Sequence, residues 1–186
     1  MNSKITGVTG AFGSGKSTAA EFFEERGFHK IILSAFLEEE ARKRGITEIT
    51  RAILQDIGNE WREKNEKSIL ADKALDEIEK RKLGKVAIDG IRNVGEIGFL
   101  RNSGNFTLIA IISDKKIRFE RLRKLKRREN LTWELFKKLD SRDAGVSEKE
   151  TGLHVDECIE MADYRIENNG SEEVFKNKLE DLLNKL

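Results

Sequence analysis

At 186 residues the chain has the length of one domain, with room for a single substantial core. Thirty-five Lys and Arg against 34 Asp and Glu leave a net charge of +1, which argues against a protein built on non-specific attraction to nucleic acid or anionic membranes. No apolar run approaches the roughly 18 residues of a membrane span, Cys158 is the single cysteine and rules out an intrachain disulfide or a Cys-based zinc site, and the start lacks a leader-like segment, so the expectation is a cytoplasmic protein.

Short apolar runs alternate with longer stretches of helical period, the pattern of a parallel sheet wrapped by helices. Strands are predicted over 4–9, 30–34, 85–89, 106–113 and, more weakly marked, 164–167. The first of them runs into Gly10-Ala11-Phe12-Gly13-Ser14-Gly15-Lys16-Ser17-Thr18, which fits G-x-x-x-x-G-K-S/T and is followed by a helical stretch. Glycines at 10, 13 and 15 let successive backbone N–H groups turn toward phosphate oxygens. The helix that follows adds its N-terminal dipole, Lys16 a point charge and Ser17 a hydroxyl suited to Mg²⁺. This is the strongest signal in the chain and points to nucleotide binding.

Between the second and third strands, Ile49, Ile53, Ile57 and Trp61 recur at intervals of four, as do Leu70, Ala74 and Ile78. Two or three helices covering the sheet are expected there, with Gly45, Gly84 and Gly104 at helix ends. The third strand ends in Asp89-Gly90-Ile91-Arg92, at the carboxyl edge where such sheets bind ligands. Asp89 suits Mg²⁺ or an attacking hydroxyl, and Arg92 a phosphate. Ser34, at the end of the second strand, faces the same edge. The run 115–128 is densely basic but carries Ile117, Leu122 and Leu125 on one side, so about half of its charges are assigned to solvent and the rest to phosphoryl groups or, ranked lower, a nucleic-acid backbone. Arg142, one helix further on, is expected to return to that site. Phe119, Trp133 and Phe136 sit at core-like positions, which argues against single-stranded nucleic-acid binding. His29 and His154 are isolated, and no metal site of His or Cys ligands is expected.

These residues resemble the nucleoside monophosphate kinase superfamily of P-loop proteins, with likeness to deoxynucleoside monophosphate kinases and to dephospho-CoA kinases over nearly the whole length. Residues 7–18 are similar to the opening of dephospho-CoA kinases. Asp89-Gly90-Ile91-Arg92 resembles the adenylate-kinase D-G-F-P-R element without its proline, and Glu96 falls where that family carries an acceptor-base glutamine. The stretch 50–58 followed by Arg62 resembles an acceptor-side R-x-x-L-Q-x-x-G, which implies acceptor contacts for Arg51, Gln55 and Arg62. Arg121, Arg128 and Arg142 match scattered lid arginines. Residues 162–171 resemble an A-D-x-x-I-x-N-x-G-S ending, placing Asn169 and Gly170 beside an adenine. Dephospho-CoA kinases carry D-A-D after their second strand, the first Asp serving as base, where this chain has Ser34-Ala35-Phe36.

The resulting expectation is one three-layer α/β/α P-loop domain over 1–186 with a five-stranded parallel sheet, a helical acceptor-binding insert at about 35–83 and a basic lid at about 118–142. ATP and Mg²⁺ are the expected cofactors, and a nucleoside or deoxynucleoside monophosphate the acceptor. The expected partners are thus small molecules, without membrane or nucleic acid, for a monomer or homodimer. Lys16, Asp89, Arg92, Arg121, Arg128 and Arg142 are the catalytic candidates, Ser17 and Asp89 the metal candidates, and Ser34, Arg51, Gln55, Arg62, Arg92 and Glu96 the acceptor candidates. The alternatives are a dephospho-CoA kinase and a nucleotide-dependent switch or assembly ATPase acting on a protein or RNA.

Overall fold

The computed structural model describes residues 3–125 and 130–186. Five strands, β1 (Lys4–Thr9), β2 (His29–Ile32), β3 (Lys85–Ile91), β4 (Phe106–Ile112) and β5 (Tyr164–Glu167), form one sheet in the order β2-β3-β1-β4-β5, every neighbouring pair parallel. The expected five-stranded parallel sheet is therefore met. Parallel pairing requires crossovers, and the helices supply them on both faces.

Strand alternation decides which face each side chain joins. Ile5, Val86, Ile88 and Leu108 point to one face and pack with α2 (Leu33–Lys43), α3 (Arg51–Lys64), α4 (Ile69–Arg81), α5 (Val94–Asn102) and Cys158 of α8 (Val155–Glu160). Val8, Ala87, Ile109 and Ile111 point to the other and pack with Phe22 and Phe23 of α1 (Lys16–Glu24) and Phe175, Leu179 and Leu182 of α9 (Glu172–Leu183). A third apolar cluster stands off the sheet. In it Leu131, with Phe136 and Leu139 of α7 (Trp133–Ala144), meets Phe119 and Leu122 of α6 (Lys115–Leu125) and Phe12 from the loop after β1. No helix among the described residues is long and apolar enough to cross a membrane.

Besides one-residue shifts at the start of β2 and the end of β4, three boundaries differ from the sequence reading, each for a local reason. The chain leaves β2 at Ile32 because Leu33, Leu37 and Ala41, four apart, are buried as the inward face of α2. Ser34 therefore lies in the first turn of a helix, not at a strand end. Strand β3 continues past Asp89 to Ile91 through a bulge: Val8 pairs with Asp89 but Thr9 with Ile91, and Gly90, at φ 97°, is skipped. The extra residue returns Ile91 to the face of Ile88 while leaving Asp89 on the face of α1. Helix α4 stops at Lys82, which itself adopts the left-handed conformation at φ 51°, before the expected stop at Gly84.

Candidate active site

The phosphate loop sits between the carboxyl end of β1 and the start of α1. Gly10, Gly13 and Gly15 hold φ values of 143°, 83° and 105°, a range closed to most side chains. At Gly15 the constraint is also steric, since a Cβ there would run into the amide of Asn168, whose Nδ2 donates to Ser14 O at 2.8 Å. Lys16 is 7% exposed and its ammonium donates to Gly10 O at 2.6 Å and Ala11 O at 2.9 Å. Burial above all, with Arg92 nearby, lowers its pKa to about 7 against the opposing pull of Asp89 and Asp143. The loop has unfilled capacity: Ser14 Oγ is buried without a hydrogen-bond partner. A cradle that side chains cannot enter, a lysine held by its carbonyls and an idle buried hydroxyl fit a nucleotide's phosphates.

The β3 bulge turns Asp89 toward α1, where Ser17 Oγ donates to Asp89 Oδ2 at 3.0 Å. One hydroxyl and one carboxylate are a sparse set of hard oxygen donors, which fits Mg²⁺ completing its shell with waters and phosphate oxygens. No cluster of three or more His, Cys, Asp or Glu able to hold a metal by itself occurs among the described residues.

In front of the loop opens a cleft of about 740 Å³ that brings Lys16, Ser17 and Asp89 together with Ser34, Arg51, Arg92, Arg121 and Gly170. At the opposite side of the loop Arg121 donates to Asn168 O at 2.9 Å and to Gly170 O at 3.3 Å, tying α6 to the 168–170 turn. Asn168 and Gly170 line the cleft; Asn169 instead accepts from Asp114 N at 2.8 Å. A smaller cavity of about 50 Å³ continues behind Arg51 and Arg92 between α2 and α3, lined in part by Gln55, Gly58 and Arg62.

Several expected site residues stand elsewhere. Arg142 does not reach the cleft: it bridges Asp56 and Glu148, each at 2.7 Å, on the outer side of α7. Glu96 is wholly buried. It closes a capping box with Asn93 at the start of α5, takes Arg92 N at 2.9 Å and binds Arg62 through Nε at 3.2 Å and Nη2 at 2.7 Å. Arg62 thus reaches only the smaller cavity, with Nη1 lacking a partner. Arg128 lies outside the described residues.

The structure adds three residues that the motifs did not single out. Arg118 is buried and braces α6 against α7 and the phosphate loop. It pairs with Asp140, donates to Ser113 O at 3.0 Å and holds Phe12 O, in the phosphate loop, at 2.9 Å. Asp143 is 1% exposed and meets Arg51, Gln55 and Arg92 at once. Burial alone would push its pKa up, but the positive charges of Arg51, Arg92 and Lys16 and the amide of Gln55 hold it at about 2. A signal for both aspartates is present in the sequence. Phe136, Leu139, Asp140 and Asp143 follow the i, i+3, i+4, i+7 spacing of one buried helical stripe, and Arg142 falls off it.

A strand, phosphate loop and helix on a five-stranded parallel sheet of this order, with a basic cleft over its carboxyl edge, make a P-loop kinase-like fold. The chain belongs to the AAA domain family, whose model matches residues 7–151, and to the UPF0200 proteins. Relatives include the UPF0200 proteins of Sulfurisphaera tokodaii, 35% identical over 98% of this chain and 97% of that one, and of Thermococcus kodakarensis, 32% identical over 96% of each. A UPF0200/UPF0201 protein of Archaeoglobus fulgidus is 34% identical over all of this chain, which spans 57% of that longer protein. Among solved structures, the shikimate kinase from Acinetobacter baumannii in complex with shikimate superposes with a TM-score of 0.63 at 17% identity, covering 98% and 94% of the two chains. Dephospho-CoA kinase from Campylobacter jejuni gives 0.55 at 18%, covering 97% and 96%. At these identities the likeness is one of fold.

Proposed function

We propose that the protein is an ATP- and Mg²⁺-dependent phosphotransferase whose acceptor is a nucleoside or deoxynucleoside monophosphate. The observation that carries this reading is the shared cleft: the phosphate-loop lysine and the Ser17–Asp89 pair open onto the same space as two arginines, Arg51 and Arg92, anchored on different elements. One end suits the phosphates of a nucleotide donor, and the other suits an anionic acceptor gripped by planar guanidinium forks.

In this scheme the loop amides and Lys16 hold the β- and γ-phosphates, and Ser17 and Asp89 hold Mg²⁺, which when bound offsets phosphate charge. Arg92 and Arg51 orient the acceptor, and Arg121, anchored on the 168–170 turn, stands on the donor side. An acceptor oxygen forms a bond to the γ-phosphorus as the bond from that phosphorus to the β–γ bridging oxygen breaks, and ADP leaves. A monophosphate oxygen is already anionic, so the step needs no carboxylate base after β2, where the chain carries Ser34-Ala35-Phe36. Catalysis then rests on positioning and charge. The helices within 35–83 serve as the acceptor-side insert, and those within 118–142 as the lid that excludes water.

The test is a panel of ribo- and deoxynucleoside monophosphates and dephospho-CoA incubated with ATP and Mg²⁺, with Lys16→Ala alongside. The expected result is Lys16-dependent phosphorylation of a monophosphate. Turnover of dephospho-CoA alone would move the assignment to that acceptor, and ATP binding without transfer to any acceptor would refute the kinase reading.

A further inference from the structure

The sequence assigned Arg51, Gln55 and Arg92 to one task without indicating what would hold them in register. They come from different places, the first and second turns of α3 and the turn after β3, and each is a long side chain with many rotamers. The geometry points to Asp143 as the positioning residue of this acceptor clamp: its carboxylate, delivered by α7, gathers the two guanidiniums and the amide and fixes the direction in which they face the cleft. The inference rests on the reading of Arg51 and Arg92 as the acceptor's phosphate ligands, and it adds the residue that sets their geometry.

Four observations carry it. Asp143 lies behind the clamp, almost without exposure, whereas Arg51 and Arg92 line the cleft in front of it. The carboxylate divides its oxygens. Oδ1 accepts from Gln55 Nε2 at 2.8 Å and from Arg92 Nη1 at 3.4 Å, and Oδ2 from Arg51 Nη2 and from Arg92 Nη1 at 3.5 Å. Gln55 is itself locked, since its amide nitrogen also reaches Leu139 O at 3.4 Å on the same helix as Asp143. Asp143 remains ionised down to about pH 2, so its charge is present throughout the working range. Two like charges brought together in a poorly solvated place repel each other, and a fixed anion at their back offsets that repulsion before any acceptor arrives. Asp140, on the same stripe of α7, holds Arg118 and through it Phe12 O of the phosphate loop. The helix that aims the acceptor clamp is thereby also fastened to the donor loop.

The experiment uses the full chain loaded with ADP and Mg²⁺, with inorganic sulfate as the anion probe and the side-chain guanidinium ¹H–¹⁵N spectrum as the structural readout. In Asp143→Asn the ordered signals of Arg51 and Arg92 are expected to collapse into the solvent-exposed arginine envelope. Those of Arg62 and Arg118, paired with Glu96 and Asp140, are expected to persist. Sulfate is expected to bind about tenfold more weakly or worse, and ADP to change by less than about twofold. Unchanged Arg51 and Arg92 signals overturn the proposal. So does tighter sulfate binding, which would make Asp143 a competitor for the clamp. So does loss of all four arginine signals together, which would reduce it to a general fold contact. Sulfate that fails to bind the unmodified protein also refutes it. If Asp143→Asn does not fold, Gln55→Leu is read in the same way, because it removes one anchor of Oδ1 and keeps the charge; an unaltered Arg92 signal there overturns the proposal. Failure of the kinase reading shows separately, as no acceptor turnover by a protein whose Arg51 and Arg92 signals still depend on Asp143.

Discussion

Replacing Glu96 by glutamine isolates what a single negative charge contributes beneath the proposed acceptor clamp. Arg62 is 2% exposed and Glu96 is fully buried; the pair is completed by Arg92 N and Asn93 N, which also donate to the carboxylate. Glutamine preserves the volume and one acceptor oxygen but leaves the Arg62 guanidinium in the interior without a counter-charge. Removing one partner of a buried pair typically costs about 3–5 kcal/mol, because the remaining ion cannot recover its hydration. The disturbed cap of α5 adds about 1 kcal/mol at most. For a chain of this size each kcal/mol moves the melting temperature by about 2–4 °C, so Glu96→Gln should melt roughly 6–24 °C lower. Urea unfolding of the single variant, of Arg62→Met and of the double variant makes the cycle complete. The double variant, which removes the stranded cation, should recover about half of the loss or more. A single-variant loss below about 1 kcal/mol would mean that the pair behaves as a surface ion pair, and the account of a buried scaffold under the clamp would be refuted.

Acid stability provides a second test. The pKa of Asp143 is about 2 in the folded protein against 3.8 for the free side chain, so the unfolded chain binds the extra proton as pH falls between these values. The corresponding stabilisation, about 2 kcal/mol, is fully present above pH 4 and is lost as pH drops toward 2. Urea midpoints across this range should show it in the unmodified protein and lack it in Asp143→Asn. Arg118→Met should raise the Kd for ATP–Mg²⁺ by about tenfold, since it frees Phe12 O, yet cost less stability than a stranded ion, because Lys115 still faces Asp140 at 3.1 Å. An unchanged Kd in a calorimetric titration would show that the brace does not shape the loop. Gly15→Ala places a Cβ at φ 105° against the Asn168 amide, and nucleotide binding measured by the same titration should be abolished. Arg142→Ala, which breaks only the bridge between Asp56 and Glu148, should leave kcat within about twofold.

The sheet and the phosphate loop were legible because both are local. Alternation places Val86 and Ile88 on one face and Ala87 on the other, and the glycine spacing of the loop has few other physical uses. The residues expected at the acceptor are legible by type but not by direction. Arg62 and Glu96 have the right chemistry for a ligand and spend it on each other, a pairing across 34 residues that no periodicity encodes. In α7 Arg142 has the more conspicuous chemistry, although the helical stripe through Phe136 and Leu139 carries Asp140 and Asp143 inward and Arg142 outward. The bulge at Gly90 is not encoded locally: whether a glycine ends a strand or is skipped within it depends on the register of the neighbouring strand.

The aromatic tip of the phosphate loop has a practical consequence. Phe12 stacks over Phe136 with ring centroids 6.1 Å apart, Trp133 stacks on Phe136 at 5.4 Å, and the Arg51 guanidinium lies 4.2 Å above the Phe12 ring. The chain thus carries an indole two rings away from the loop and in line with the Arg51 guanidinium, whereas its other tryptophan, Trp61 of α3, lies under the ammonium of Lys73 on α4. With Trp61 replaced by phenylalanine, the emission of Trp133 becomes an optical gauge of the loop, readable in a stopped-flow cell as nucleotide and acceptor arrive in either order.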